Sequence, residues 1–343
     1  MSNLLIGLIG AVLATNQPAA VSNLVEQTTG VSVEIPDPND PVEKEFEKLE
    51  ADDDAAHEEV DRWIRENQEF AKKDAAVSNE ELNSRIRKRL DVIRKAYESF
   101  IQRHPNHVGA RLAFASFLEG IGEEEASLAQ MEKAREIDPK DPAPWNNLAN
   151  YYGHYGEVTN AFAYYAKAIS LNPNEPVYYH NFGTTVYLFR KDAREFYHIN
   201  EQQVFDKAMN LYSNSMRLDP TNFWLATDVA QSYYGIKPMR TNDALVAWTN
   251  ALNVARTEEE REGIYLHLAR VKMMIGQFDE AQTHLNSVTN SSYDELKERL
   301  IRSLHEREGK TNSTAVNAAT NSASLPSSAA QTNVLPEKPP ATK

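Results

Sequence analysis

The sequence of 343 residues contains no cysteine. A disulfide framework, a metal site built on thiolates and a lipidated cysteine are therefore excluded. The absence of cysteine is compatible with oxidising and with reducing compartments, so it does not indicate where the protein resides.

Glycine is scarce, with 13 residues, and none of them forms a loop of the kind that cradles phosphate groups. Nucleophile elbows and paired zinc-ligand motifs are also absent from the sequence. The most closely spaced histidines, His104 and His107, suit a turn and a helix cap better than a metal site, which needs more ligands. We therefore expect no enzyme activity, no cofactor and no metal.

Positive charge is in deficit, because 36 Lys and Arg stand against 50 Asp and Glu, giving a net charge of −14. Nucleic-acid binding needs clustered positive charge to neutralise phosphates. We therefore expect no nucleic-acid partner.

Only one strong apolar run is present, LLIGLIGAVLA at residues 4–14. It is much shorter than the roughly 20 residues that a spanning helix needs, so we expect no integral membrane span. The run suits the apolar core of a signal peptide, and Val12-Leu13-Ala14 resembles a cleavage site, although the usual positive leader is missing. We expect an exported protein, periplasmic or associated with the envelope. The alternative is a cytoplasmic protein with a short buried or frayed N-terminus.

What the sequence does contain is a repeat of 34 residues. Pro105, Pro139 and Pro173 are separated by this interval, and so are Gly122 and Gly156. A period between about 20 and 50 residues is typical of a solenoid, in which each unit buries its apolar face on its neighbours.

The clearest unit is 142–175, PAPWNNLANYYGHYGEVTNAFAYYAKAISLNPNE. Its first half carries an apolar stripe at i, i+3, i+4 and i+7, which places Trp145 and Leu148 in the core. Small residues at 149 and 161 let two helices approach closely. The residues that match the pattern W-x₂-L-G-x₂-Y, A-x₃-F and a closing proline are Trp145, Leu148, Ala149, Tyr152, Ala161, Tyr165, Ala168 and Pro173. This unit resembles the tetratricopeptide repeat.

Looser units begin near residues 108, 176, 223 and 257, so the resemblance covers about five repeats. The unit from 176 contains an insertion near 190–203, for which we expect a loop that adjusts partner choice. The resemblance implies an all-α fold, a right-handed α-solenoid of antiparallel helix pairs, closed by a solubilising helix at 293–305.

The segment before the repeats has a different pattern. Residues 41–74 follow a heptad-like spacing with an acidic surface, and Ser78 with Glu81 predicts a cap for a basic helix over 79–103. We expect these two helices to pack together. The predicted organisation is 1–40, apolar leader and linker; 41–105, acidic and basic helical extension; 106–305, solenoid with its terminal helix; and 306–343, a polar tail expected to be disordered.

In tetratricopeptide arrays the first helix of each pair lines a concave groove. Opposite the stripe that holds Trp145, the resemblance therefore implies a polar, neutral and amide-rich surface that holds a peptide segment. The residues predicted for this groove are Asn146, Asn150, His154, His180, Thr184, Tyr187, Thr227, Gln231, Tyr234 and Arg270.

We therefore expect a non-catalytic scaffold with a protein or peptide partner. One alternative is a structural protein that forms a homodimer through the acidic heptad helix. Another is the regulatory part of an enzyme system. Fold alone does not decide among the three.

Overall fold

The computed structural model describes residues 40–73 and 75–323, with only the backbone described from 311 to 323. These ranges are helical and contain no β-strand. The α-helices are α1 Pro41–Ala71, α2 Asn79–Arg103, α3 Val108–Gly120, α4 Glu124–Ile137, α5 Pro142–Tyr155, α6 Val158–Leu171, α7 Pro176–Leu188, α8 Arg190–Tyr197, α9 Glu201–Leu218, α10 Phe223–Ser232, α11 Thr241–Val254, α12 Glu258–Met274, α13 Phe278–Asn286 and α14 Asp294–Ala323. The predicted all-α fold of paired helices is confirmed.

The described helices fall into two compact units, α1–α6 up to Pro173 and α7–α14 from Asn174. In the first unit α3 packs on α4 and α5 on α6. In the second unit the pairs are α7 with α9, α10 with α11, and α12 with α13, and α14 covers the last pair. The repeat interval in the sequence thus corresponds to one helix pair.

The first two helices form the predicted acidic–basic pair. Most heptad positions of α1 are buried, including Phe46, Leu49 and Trp63, whereas Phe70 is 49% exposed. The helix packs on α2. Between the helices, Glu59 pairs with Arg89 at 2.9 Å. Because such partly exposed pairs contribute only about 0–1 kcal/mol each, apolar burial does most of the holding.

This helical extension shares one core with the first repeat. Tyr97 of α2 stacks on Phe114 of α3, with ring centroids 5.3 Å apart, and Phe100 belongs to the same buried cluster. His107 caps α3 by accepting a hydrogen bond from the Ala110 N–H at 2.9 Å, as predicted for this turn. The sequence placed a boundary at 105, but the aromatic contacts across it join both sides into the first unit.

The predicted small residues Ala149 and Ala161 are fully buried in the packed pair α5–α6, and the other helix pairs also bury small residues. Ser127, which replaces alanine in the first repeat, donates its hydroxyl to the Ala115 carbonyl at 2.7 Å. The buried small residues of the helix pairs include Ala115, Ser127, Ala149, Ala161, Gly183, Ala208, Ala230, Ala244, Ala269 and Ala281. Small side chains allow the helix backbones to approach, which explains why the pattern repeats.

Trp145 does not lie in the core, contrary to the prediction. Its ring is half-buried and meets Tyr164 edge to face at 5.3 Å, while its indole N–H donates to the Pro139 carbonyl at 3.0 Å. Leu148 and Ala149 are fully buried instead. Trp145 therefore lies at the edge of the buried stripe, where its indole N–H reaches a carbonyl of the preceding turn.

The insertion near 190–203 forms a helix, α8, rather than a loop. Ala193 is buried, and α8 packs on α9. His198 ends α8 in the left-handed conformation, with φ of 54°, which histidine adopts more readily than most residues. Asn200 and Gln203 then form a capping box that starts α9.

The terminal helix α14 continues to Ala323, beyond the predicted end at 305. Extending a helix adds one hydrogen bond per residue without a new nucleus, and this stretch contains several alanines, the best helix formers. Part of the predicted disordered tail, 306–323, is therefore helical. The predicted leader and linker up to residue 39 and the rest of the tail, 324–343, lie outside the described residues.

Candidate binding surface

On α5, two of the three predicted groove residues are engaged inside the first unit. Asn146 is only 6% exposed, and its amide donates to the Asn147 side chain at 3.3 Å. Asn150 accepts a hydrogen bond from the Tyr165 hydroxyl at 2.6 Å. Only His154 is exposed. Of the expected amide-rich surface on α5, Asn150 thus connects to α6, Asn146 bonds to a side chain of α5 itself, and His154 is left at the surface.

The predicted residues of α7 also contact neighbouring side chains in the second unit. The Thr184 hydroxyl lies 3.0 Å from the Tyr212 hydroxyl of α9. His180 Nε2 lies 3.3 Å from a carboxylate oxygen of Asp228 on α10. Tyr187 packs beside Arg190, whose guanidinium carbon lies 5.5 Å from the ring centroid. The contact between His180 and Asp228 connects the first helices of two successive repeats.

The remaining predicted residues lie at α10, the turn after it, and α12. Thr227 is 8% exposed and donates to the Trp224 carbonyl at 2.8 Å. Tyr234 lies under Arg270, with the guanidinium carbon 4.5 Å from the ring centroid. Gln231 and Arg270 are exposed. The second unit therefore offers more of the predicted surface to a partner than the first.

A cleft of about 410 Å³ opens between α10 and α12, and we call it the Trp224 cleft. Trp224 lies at its rim and is 76% exposed, the most exposed large apolar side chain among the described residues. The lining residues are Phe223, Trp224, Thr227, Gln231, Trp248, Thr257, Glu259, Glu260, Gly263, Ile264, His267 and Tyr293. The cleft brings the predicted residues Thr227 and Gln231 together with an indole face.

Sequence reasoning missed Trp224 and His267. The position of Trp224 in the sequence could have indicated that it is exposed. It lies off the buried stripe of α10, which consists of Leu225, Ala226, Val229 and Ala230. The Trp224 ring meets Phe223 edge to face, with centroids 6.0 Å apart, and most of its surface is left exposed. Such a side chain is a candidate contact for another molecule.

His267 is half-buried and lines the cleft. Burial, with a smaller contribution from the positive charge of Arg270, lowers the pKa of His267 to about 4. The imidazole is therefore neutral at neutral pH. Its Nδ1 lies 3.1 Å from the Tyr234 hydroxyl, which fixes the ring orientation.

One acidic residue at the rim of the cleft, Glu260, takes part in capping the N-terminus of α12. Glu260 accepts from the backbone N–H groups of Thr257, at 3.0 Å, and Arg256, which lowers its pKa below the ordinary value. Thr257 caps the same helix by accepting from the Glu260 N–H at 3.1 Å. Glu259 is exposed and makes no such contact through its carboxylate in the part of the chain described. The rim thus carries carboxylate charge beside an indole face.

Two further observations concern the described residues alone. They contain no group of three or more histidine, aspartate or glutamate side chains placed to hold a metal ion. Within them, no helix is both long enough and apolar enough to cross a membrane.

The helix pairs and their buried small residues define an α-helical repeat protein. Residues 143–175 match the sequence model of the tetratricopeptide repeat family. The chain therefore contains a tetratricopeptide repeat at this position within an all-α fold of paired helices. The match covers the unit that carries the clearest pattern, and the count of about five repeats stays a prediction supported by the helix pairs.

Several solved structures are similar to parts of the chain. YrrB, a TPR protein with an unusual peptide-binding site, is 13% identical, with a TM-score of 0.42 over 57% of this chain and 91% of that one. The pilF protein of Pseudomonas aeruginosa is 15% identical, with a TM-score of 0.45 over 71% and 99%. TTC0263, a TPR protein of Thermus thermophilus, is 20% identical, with a TM-score of 0.39 over 59% and 98%.

No curated protein sequence matches the chain significantly. The similarity to the tetratricopeptide repeat family is therefore shown by the match at 143–175, and the helix pairs of the chain are consistent with it. The function has to be argued from the surface.

Proposed function

We propose that this protein is a non-catalytic interaction scaffold that holds a peptide segment of a partner protein in the Trp224 cleft. The observation that carries the proposal is the 76% exposure of Trp224 at the rim of a cleft between α10 and α12, each the first helix of its repeat. Exposing an indole to water is costly, and tryptophan is enriched among the residues that dominate binding energy at protein interfaces.

The surroundings of Trp224 favour an extended peptide over a small molecule. Gln231 is exposed at the same cleft, and a side-chain amide can both donate to and accept from a peptide backbone. The cleft is open rather than enclosed, whereas sites for small molecules bury most of the ligand surface. Among the residues predicted for the groove, Gln231 is therefore the proposed peptide contact, together with the side chains beside it in the Trp224 cleft.

Asn146, Asn150 and Thr184 have a different proposed role. Their side chains already contact Asn147, Tyr165 and Tyr212. A peptide that used them would have to replace these hydrogen bonds, which leaves little net gain. We propose that they position the first helices rather than contact the partner.

The homodimer alternative depended on the heptad positions of α1. Most of these side chains are buried within the same chain, and Phe46 and Leu49 share one cluster with residues of α2 and α3. A dimer formed through them would require the α1–α2 pair to open. The scaffold proposal needs no such rearrangement.

The test is a selection of random peptides on the full-length protein, followed by calorimetric titration of the selected peptide. Trp224→Ala should weaken binding by about thirtyfold or more, since residues of this kind contribute about 2 kcal/mol or more. The matched control is Val246→Ala, which removes an exposed apolar side chain from α11 of the same repeat. Equal affinities for the two variants would place the peptide elsewhere.

A further inference from the structure

A second cleft, of about 440 Å³, lies between α12 and the terminal helix α14. Its walls are apolar: Met273 and Met274 come from α12, and Leu296 and Leu300 from α14. Met274 is 43% exposed, and both leucines are half-buried. Methionine side chains adapt to ligands of irregular shape, so the walls suit an inserted apolar side chain.

Arginine is the charged residue of this cleft. Arg270 comes from α12, and Arg299 and Arg307 come from α14. All three side chains are exposed, and no aspartate or glutamate contributes to the lining. His267 adds no charge at neutral pH, because its pKa is lowered to about 4. A site lined by charge of one sign therefore lies in a chain whose net charge is −14.

Helical spacing keeps this arrangement together. On α14, the lining residues Leu296, Arg299, Ser303 and Arg307 follow one another at intervals of three or four, so they share a face. Arg302 lies on another face and is paired with Glu298 at 3.7 Å. The spacing of residues along α14 therefore places Arg299 and Arg307 toward the cleft and the Arg302–Glu298 pair away from it.

We infer that this arginine cleft binds an acidic segment of a protein partner that inserts an apolar side chain between Met274 and Leu300. Guanidinium groups hydrogen-bond carboxylates in a bidentate geometry, and charge complementarity selects partners of opposite sign. The apolar walls favour a peptide over a single-stranded nucleic acid. Proteins that bind single strands stack the bases on aromatic rings, whereas methionine and leucine form the walls of this cleft.

This inference goes beyond the function proposed above. The two clefts have only His267 in common among their lining residues. The arginine cleft can therefore bind its segment whether or not the Trp224 cleft holds a peptide. The two proposals fail independently, because Trp224 belongs to one lining and Arg299 and Arg307 to the other.

The experiment measures fluorescence anisotropy of a labelled peptide, EEDLFDEE, with the full-length protein. Arg299→Glu and Arg307→Glu should each weaken binding by about tenfold, since each reverses a charge at the cleft. The matched control is Arg302→Glu, the same change on the same helix but outside the lining. It should bind within about twofold of the wild type. Circular dichroism of each variant checks that the helices are intact.

Two control peptides separate the contributions. KKKLFKKK should not bind, and EEDSSDEE should bind at least about tenfold more weakly, because burying two apolar side chains contributes more than about 1.4 kcal/mol. Equal binding of EEDLFDEE and EEDSSDEE would overturn the insertion of an apolar side chain. The acidic-segment proposal would be overturned if Arg302→Glu matched Arg299→Glu. It would equally be overturned if single-stranded DNA or anionic vesicles displaced the peptide at lower concentration than unlabelled EEDLFDEE does.

Discussion

The indole of Trp248 stacks flat on the imidazole of His267, with ring centroids 4.0 Å apart and planes inclined by 5°. Trp248 belongs to α11 and is fully buried, whereas His267 belongs to α12 and lines both clefts. The stack therefore joins the second helix of one repeat to the first helix of the next. It also fixes the ring that forms part of both candidate binding sites.

Acid should destabilise the second unit through this stack. The folded state keeps His267 neutral down to pH of about 4, whereas the unfolded chain binds the proton near its ordinary pKa of 6.5. Between these values the unfolded state binds more protons, so the free energy of unfolding falls as the pH falls. The expected loss is about 1–3 kcal/mol, measured by urea unfolding at pH of about 7.5 and 4.5.

His267→Gln should remove much of this pH dependence, because glutamine does not titrate. The matched control is His305→Gln, which changes an exposed histidine of the same unit. The control should keep the acid sensitivity of the wild type. If both variants lose stability in acid as the wild type does, carboxylates elsewhere dominate the pH dependence.

Trp145 and Trp248 should differ in their contribution to stability. Trp248→Ala empties a fully buried site and should lower the free energy of unfolding by about 3–5 kcal/mol. Trp145→Ala removes a half-buried ring and one hydrogen bond to Pro139, so about 1–2 kcal/mol is expected. Denaturant unfolding of both variants provides the measurement. Equal losses would mean that Trp145 is packed as a core residue.

Gly183 should tolerate no larger side chain. A Cβ atom at this position would lie 3.0 Å from the Tyr212 ring and 3.3 Å from the Ala208 carbonyl oxygen. Gly183→Ala should therefore destabilise the α7–α9 pair by about 1–3 kcal/mol, as overpacking does.

Gly309→Ala provides the control with the opposite sign. Nothing lies within 4 Å of a Cβ there, and Gly309 is inside α14, so alanine should stabilise the helix by up to about 1 kcal/mol. Thermal unfolding compares the two variants. A stabilised Gly183→Ala would show that α7 and α9 can move apart at no cost.

Removing α1 should promote association rather than prevent it. In a protein that starts at residue 79, Ile93, Tyr97 and Phe100 lose their cover from α1. Exposed apolar patches of this kind drive self-association. Light scattering should therefore report a larger mass per chain for the shortened protein than for the full-length one. A dimer that forms only when α1 is present would support the homodimer alternative instead.

Much of the fold could be predicted from the sequence because it depends on local spacing. The 34-residue interval located the helix pairs, and the small residues at 149 and 161 marked the packed faces of α5 and α6. The cap at Ser78 predicted the start of α2, since its side chain accepts from the Glu81 N–H at 3.1 Å. Each of these signals acts within a few residues or within one repeat.

The candidate binding sites were harder to predict. Asn146 is polar and lies off the apolar stripe, and exposed residues of a helix have the same two properties. Yet Asn146 is only 6% exposed, whereas Trp145 on the apolar stripe is half-buried, with its indole N–H on the Pro139 carbonyl. The sequence therefore could not distinguish a buried Asn146 from an exposed one. Trp224 could have been noticed from its position off the core stripe, but its cleft could not.

By itself, the sequence determined the class of fold, the length of each repeat and the pairing of the acidic helix with the basic one, because helical periodicity and charge are written along the chain. Only the tertiary structure decided which polar residues face a neighbour and which face solvent. It also assembled the two clefts, each from helices that are separated in sequence. A cleft depends on the distance between two packed surfaces, and side-chain packing sets that distance.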